Sequence, residues 1–251
     1  MIRRIRMKKE AHLARLALLS TFVSFSAASE QRYDDFGFIG ASGAYGQTVF
    51  SDKGGGQAAL EPNLFYNGQH GFIDGSLANL SLLPYFGLTG QWRFAEVSND
   101  FDQLPNGIND RDGNGEVGVT LGTVGARVTF LHDVTNQHNG YEVQLHLGRT
   151  FELPVPDFTL TPYVEIDYRD KKLSQHLYGV STLESSQSGL NVFEASDSWV
   201  YQSGLIGLYH LTPDWLGLAK LELVHHDSSS PLVQRDLGWN VSLGVVYQFT
   251  D

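Results

Sequence analysis

From Trp239 to Phe249 the chain alternates between two characters. Trp239, Val241, Leu243, Val245, Tyr247 and Phe249 fall on one side of an extended segment; Asn240, Ser242, Gly244, Val246 and Gln248 fall on the other. Other stretches obey the same period of two. In FTLTPYVEIDY, Phe158, Leu160, Pro162, Val164, Ile166 and Tyr168 oppose Thr159, Thr161, Tyr163, Glu165 and Asp167. In YEVQLHLGR, Tyr141, Val143, Leu145 and Leu147 oppose Glu142, Gln144, His146 and Gly148. In YFGLTGQWRF, Phe86, Leu88, Trp92 and Phe94 oppose Tyr85, Thr89, Gln91 and Arg93. The pattern predicts strands at 36–48, 57–66, 71–80, 85–95, 115–121, 125–131, 139–152, 158–169, 197–210, 215–225 and 237–249. No comparable stretch carries a helical stripe, so residues 29–251 read as one all-β domain.

A two-sheet sandwich and a membrane barrel both produce this alternation. Three features favour the barrel. Several strands run 10–13 residues, near the ~9–11 that cross a bilayer at a tilt and beyond the ~5–6 usual in soluble sheets. Glu165, Gln144 and Arg93 stand mid-strand on the polar face, which suits a wet or polar-packed lumen. Aromatics gather near strand ends: Tyr33, Phe36, Tyr85, Tyr163, Tyr168, Trp199, Tyr209, Trp215, Trp239 and Phe249, as girdles at two membrane interfaces would.

The expectation is a single transmembrane antiparallel β-barrel of the outer membrane. Bacterial barrels use an even number of strands, so the eleven segments read as twelve strands, with ten as the alternative. The least defined boundaries are in 36–66 and in the pair 115–131, readable as two strands or one bent one, and HLYGVS within 170–196 could hide another strand. Counting back from a periplasmic chain end, loops 96–114, 132–138, 170–196 and 226–236 face outward. The short links LPVPD and LTPDW face the periplasm.

Charge and composition sharpen this picture. Residues 1–28 hold Arg3, Arg4, Arg6, Lys8, Lys9 and Arg15 against Glu10, then the apolar run LARLALLSTFVSFSAAS. This reads as a signal peptide cleaved after Ala28 or Ser29, leaving the barrel domain at 29–251. The remainder carries 11 bases and 27 acids, a net charge of −16. So acidic a surface repels nucleic acid. No later stretch has 18 consecutive apolar residues, so membrane helices are not expected. The chain has no cysteine, which removes disulfide frameworks, thiol catalysis and Cys-ligated metal from consideration.

Candidate chemistry is thin. NDRDGNGE sets Asp110, Asp112 and Asn114 at alternate positions before Gly115, half of a calcium loop, but Leu121 stands where its final glutamate belongs. A solvated turn is the simpler reading. VHHDSSSP brings His225, His226, Asp227 and Ser228 together, yet adjacent strand residues point to opposite faces. A lumenal enzyme could use His146 or His210 with Ser203, Ser242 or Asp167, though none sits in a motif. His132 and His138 flank DVTNQ without metal-ligand spacing. The stretch SDKGGGQ, 51–57, lacks the G-x-x-x-x-G-K-S/T pattern of a phosphate loop and no helix follows it, so it reads as a hairpin turn. No catalytic, cofactor-binding or metal residue is assigned.

Taken in order, GASGAYGQ at 40–47, PNLFYNGQHGFI at 62–73, NGEVGVTLG at 114–122 and LHDVTNQHNGYEVQLHL at 131–147 form a recognisable series. LTPYVEIDYRDKKLSQHLYGVSTLES at 160–185 is its most distinctive member. YHLTPDWLG at 209–217, SSPLV at 229–233 and GVVYQF at 244–249 complete it. The series resembles the MipA/OmpV family, the MltA-interacting group of outer-membrane proteins. The resemblance implies an exported outer-membrane barrel with no assigned catalytic residue, cofactor or metal. It further implies a scaffold between a lytic transglycosylase and a murein synthase, in contact with the lipid bilayer and lipopolysaccharide. Such barrels tend to end on an aromatic; here Phe249 is followed by Thr250 and Asp251. A non-enzymatic adaptor is the leading expectation. A small channel is the first alternative and a lipid-modifying enzyme the second.

Overall fold

The structure, a computed structural model, describes residues 35–51, 54–99 and 104–250. The proposed leader and Tyr33 lie outside the described residues. Thirteen strands follow in chain order: β1 Phe36–Gln47, β2 Gln57–Gly68, β3 Gly71–Asp74, β4 Leu77–Leu83, β5 Phe86–Arg93, β6 Asn114–Thr123 and β7 Ala126–Asp133. Then come β8 Tyr141–Gly148, β9 Phe151–Glu152, β10 Phe158–Arg169, β11 Ser198–His210, β12 Trp215–Asp227 and β13 Gly238–Gln248. Each pairs antiparallel with its neighbours. β13 returns to β1, from Phe38 opposite Gln248 to Gln47 opposite Trp239, and the sheet closes. The two residues of β9 lie on the same edge of β10 as β8 does, beyond a break at Arg149 and Thr150. The wall therefore has twelve strand positions, and closure leaves no strand with a wholly unpaired edge.

The alternation seen in the sequence is the inside and outside of this wall. Trp215, Val241, Leu243, Val245 and Tyr247 are exposed on the outer surface, Leu243 at 67%, while Ser242 and Val246 on the opposite face of β13 are buried. Among the described residues no second sheet covers the outer face, so the sandwich fails. A continuous apolar belt of this kind has only lipid to face. At its margins Tyr168 packs on Trp199 with ring centroids 5.1 Å apart, and Trp215 on Tyr247 at 5.4 Å. Most of the expected girdle is there. Phe36 and Tyr163 are exceptions: both line the lumen, because their parity places them with the inward residues of β1 and β10.

The strand missing from the eleven segments lies in 71–80. Gly75 and Ser76 turn the chain there, with Gly75 at φ +62°, a conformation natural to glycine. The short β3 and β4 on either side pair from Gly71 opposite Leu80 to Asp74 opposite Leu77. The stretch 115–131 is two strands, β6 and β7. HLYGVS is not a strand. Residues 170–197 instead carry helix α1, Lys171–Tyr178, and helix α2, Thr182–Ser188. The Asp170 carboxylate caps α1 by accepting the Leu173 N–H at 3.0 Å. A capping box between Ser181 and Glu184 starts α2, and Gly189 ends it in the left-handed region. Leu173 and Leu177, four apart, bury one face of α1.

Two apolar clusters fill the ends of the barrel. The first is built from the long loops: Val49, Phe50, Val97, Leu104, Ile108, Leu173, Leu177, Tyr178 and Leu232 pack together above one mouth. The second is inside the turn end of the lumen, where Phe38, Leu216, Leu218 and Val246 meet. Long loops on one rim and short turns on the other match the predicted arrangement, with both ends of the described chain on the turn side.

Candidate functional site

The lumen is layered. Under the loop cap lies a sheet of charge contributed by β5, β6, β8, β10 and the loop after β5. The Arg93 guanidinium donates to both Glu116 oxygens at 3.2 and 3.1 Å and to Glu96 at 2.6 Å. Arg93 also lies 2.9 Å from Glu142. Arg169 donates to Glu142 at 2.8 Å, to both oxygens of Glu96 at 2.9 Å, and to the Tyr178 hydroxyl at 3.0 Å. The Tyr178 hydroxyl and His226 Nδ1 are 2.8 Å apart, which ties the layer to α1 and β12. Arg93, Arg169, Glu116 and Glu142 are all buried. Burial alone would raise the Glu96 carboxyl, but the guanidiniums of Arg169 and Arg93 outweigh it and hold Glu96 near 2. Burial pushes the Tyr178 hydroxyl up to about 12.

The cap is fastened to this layer by hydrogen bonds. Glu184 takes Arg111 at 2.8 Å and the Asn109 N–H at 3.2 Å, joining the loop after β5 to α2. Arg111 also donates to the Gly179 carbonyl. The Ser230 hydroxyl donates to the Tyr178 carbonyl at 2.6 Å, bringing in the loop after β12. Burial lowers His138 to about 4, so its ring is neutral at pH 7 and its Nδ1 accepts the Gly140 N–H.

Below the charged layer the wall is stitched by short polar side chains. Asn79 donates to Thr89, Thr89 pairs with Thr120 at 2.6 Å, and Thr120 with Thr129 at 3.0 Å, crossing four strands. Farther toward the turns a cavity of about 370 Å³ opens, lined by Phe36, Phe65, Asp74, Arg127, His146, Tyr163, Lys220 and Glu222 among others. Several of its polar groups are paired. Arg127 meets Asp74 at 2.6 Å, His146 meets Glu165 at 2.7 Å, and the Tyr163 hydroxyl donates to Glu222 at 2.6 Å.

The residues weighed for chemistry do not converge. His146 faces Glu165, His226 faces Tyr178, and His225, on the outer face, meets the Asp236 carbonyl at 2.6 Å. Ser203 shares the lipid-side parity of β11, whereas Ser242 and Asp167 are buried inward. His210 is exposed at the turn end. The half calcium loop is opened out: Asp110 accepts from Asn99 at 2.7 Å, while Asn114 is buried at the start of β6. Among the described residues no group of three His, Asp or Glu side chains is placed to hold a metal ion. The sequence reading missed the charged layer itself. Its signal was available in the inward parity of Arg93, Glu116, Glu142 and Arg169.

Residues 39–249 match the family described as MltA-interacting protein MipA. The chain belongs to that family. Among its relatives, the putative outer membrane protein YiaT of Escherichia coli K12 is 26% identical over 227 residues, 84% of this chain and 90% of that protein. The MltA-interacting protein of the same organism is 26% identical over 126 residues, 49% of this chain and 50% of that one. Solved structures that align with the chain include the outer membrane protein OprG of Pseudomonas aeruginosa, 13% identical with a TM-score of 0.33 over 87% of this chain and 98% of that one. The CymD monoaromatic hydrocarbon channel is 8% identical with a TM-score of 0.40, over 88% and 90%. This barrel is an outer-membrane protein of the MipA family.

Proposed function

We propose that the barrel is an adaptor that anchors murein-processing enzymes, a lytic transglycosylase and a murein synthase, beneath the outer membrane. The observation that carries this reading is the closed outer mouth. A straight pore would not fill its lumen with a buried layer of two arginines and three glutamates and then cover it with a folded apolar cap. Family membership supplies the class of partner.

Such a partner works in the periplasm, so docking falls to the turn rim. There a register shift at Leu82 and a left-handed Tyr85 splay the end of the hairpin between β4 and β5. Leu83 and Tyr85 are 63% and 67% exposed. A specific interface buries roughly 1,200–2,000 Å² in total, so neighbouring turns such as 69–70 and 124–125 would have to take part.

The test is affinity capture from crosslinked envelopes. The tagged protein should recover the two murein enzymes, and Leu83→Ser with Tyr85→Ser should cut recovery several-fold. Recovery no greater than with an unrelated barrel would refute the proposal.

A further inference from the structure

The barrel wall is not of even height. β2 has twelve residues, but β3 beside it has four and β4 seven. β3 meets β2 only from Phe65 to Gly68. Among the described residues, 57–63 of β2 therefore have β1 on one edge and no paired strand on the other. On the far side β4 begins at Leu77, opposite Gln91, and β5 continues past it toward Arg93. At ~4.8 Å per strand, the missing upper parts of two strands leave β2 and β5 ~14 Å apart along the wall.

Backbone parity shows what this edge presents. The Gly75 N–H bonds the Leu64 carbonyl at 2.9 Å. Even-numbered residues of β2 thus turn their backbone groups toward the gap and odd-numbered ones toward β1. The groups left open belong to Ala58, Leu60 and Pro62, and Pro62 has no N–H to leave unpaired. Hydrocarbon cannot satisfy the carbonyls and the two N–H groups that remain. Water from the lumen, or the polar head of an amphiphile, must reach them.

The gap also communicates with the lumen. Ala59 points inward by alternation, opposite Ala44, yet Ala59 is exposed while Ala44 is buried. Behind it the inward side chains of Glu61 and Lys220 lie 3.9 Å apart and are 31% and 33% exposed. Lys220 lines the 370 Å³ cavity, and so do Asp74 and Ser76 at the hairpin tip beneath the gap. The hairpin tip is both the floor of the gap and the lip of the cavity. Directly above, the way out is shut by the charged layer.

We propose that this gap is a lateral portal, through which small amphipathic molecules dissolved in the outer leaflet enter the lumen. The cavity suits an apolar body against Phe36, Phe38 and Phe65 with a polar head toward Glu61 and Lys220. At 370 Å³ it sits low in the ~300–1,000 Å³ range of small-ligand pockets, too small for a whole lipid. This capacity is independent of any docking at the turn rim.

The chain has no cysteine, so single-cysteine variants are unambiguous reporters. In proteoliposomes, a bilayer-partitioned pyrene maleimide should label Ala59→Cys at a rate within tenfold of Leu60→Cys on the lipid side. Thr129→Cys, buried and inward on β7, where the wall is fully paired, should label at least tenfold more slowly than Ala59→Cys. Ala59→Cys as slow as Thr129→Cys would mean a sealed wall and overturn the proposal. So would rapid Leu60→Cys disulfide dimers that shield Ala59→Cys, since a second copy would then be pairing with the edge. A bimane dye on Lys220→Cys should be quenched by a spin-labelled fatty acid in the bilayer. Ala59→Trp should reduce that quenching several-fold and Leu243→Trp should not; equal quenching in both also overturns the portal.

Discussion

Arg169→Met tests whether the charged layer is a dry plug. Arg169 is 3% exposed and makes four hydrogen bonds, three of them to carboxylates. Its loss leaves Glu96, Glu116 and Glu142 facing Arg93 alone. Counting each lost charge-assisted bond separately at ~1.5–3 kcal/mol would overstate the effect. Arg93 still contacts all three glutamates, and the Glu96 side chain is 24% exposed and can recruit water. The cost of breaking a buried pair from one side, about 3–5 kcal/mol, is the better expectation. Urea unfolding in lipid vesicles can be followed by Trp92, Trp199, Trp215 and Trp239, which alternation places on the lipid face. With a urea dependence of about 3 kcal/mol per molar, the midpoint should fall by roughly 1–1.7 M. Lys220→Met removes a cation from a partly exposed pair and should cost under ~1 kcal/mol. A double-mutant cycle with Glu142→Gln should show coupling of about 0.5–3 kcal/mol. If Arg169→Met shifted the midpoint no more than Lys220→Met, the layer would be solvated and the closed-mouth argument would fall.

Three further outcomes follow from the same geometry. Leu243→Arg, in the middle of the outer face of β13, should destabilise the barrel by about 2–4 kcal/mol in vesicles; a neutral effect would show that this face does not meet lipid tails. Burial would raise Glu184, but Arg111, the Ser181 N–H and hydroxyl and the Asn109 N–H hold it near 2, below its unfolded value near 4.5. Its contribution is therefore complete above about pH 4.5 and disappears as pH falls through 2, so hydrogen exchange in 170–197 should rise over that window and lose this dependence in Glu184→Gln. In planar bilayers the native protein should give no steady conductance steps, whereas Arg93→Ala with Arg169→Ala should; steady steps from the native protein would contradict a closed outer mouth.

Much of the fold is written in parity. Because a strand turns alternate residues to opposite faces, the apolar series through Leu243 and the polar series through Glu165 separate on the amino-acid order alone. Long strands and end-of-strand aromatics then decide between lipid and a second sheet. The hairpin at 71–80 escapes because its strands are too short to show a period. GFID has only four residues, and its turn is a single Gly-Ser pair. The helices of 170–197 escape for a related reason. At eight and seven residues, each is about two turns long, too short to impose a helical stripe and formed because Asp170 and Ser181 cap them and the loop core buries them.

What the sequence leaves illegible is which inward polar groups meet. Arg93, Glu96, Glu116, Glu142 and Arg169 span 77 positions, and their convergence depends on the strand registers: Arg93 opposite Asn114, Glu116 opposite Asp133, Glu142 opposite Arg169. A slip of one residue in any of these pairings would turn the charges into lipid. The same groups would be prohibitive there and are tolerable here only in each other's company. The charged layer thus acts on register as well as on the mouth it closes. The short hairpin, which contributes no residue to that layer, is where the wall can be low without disturbing it.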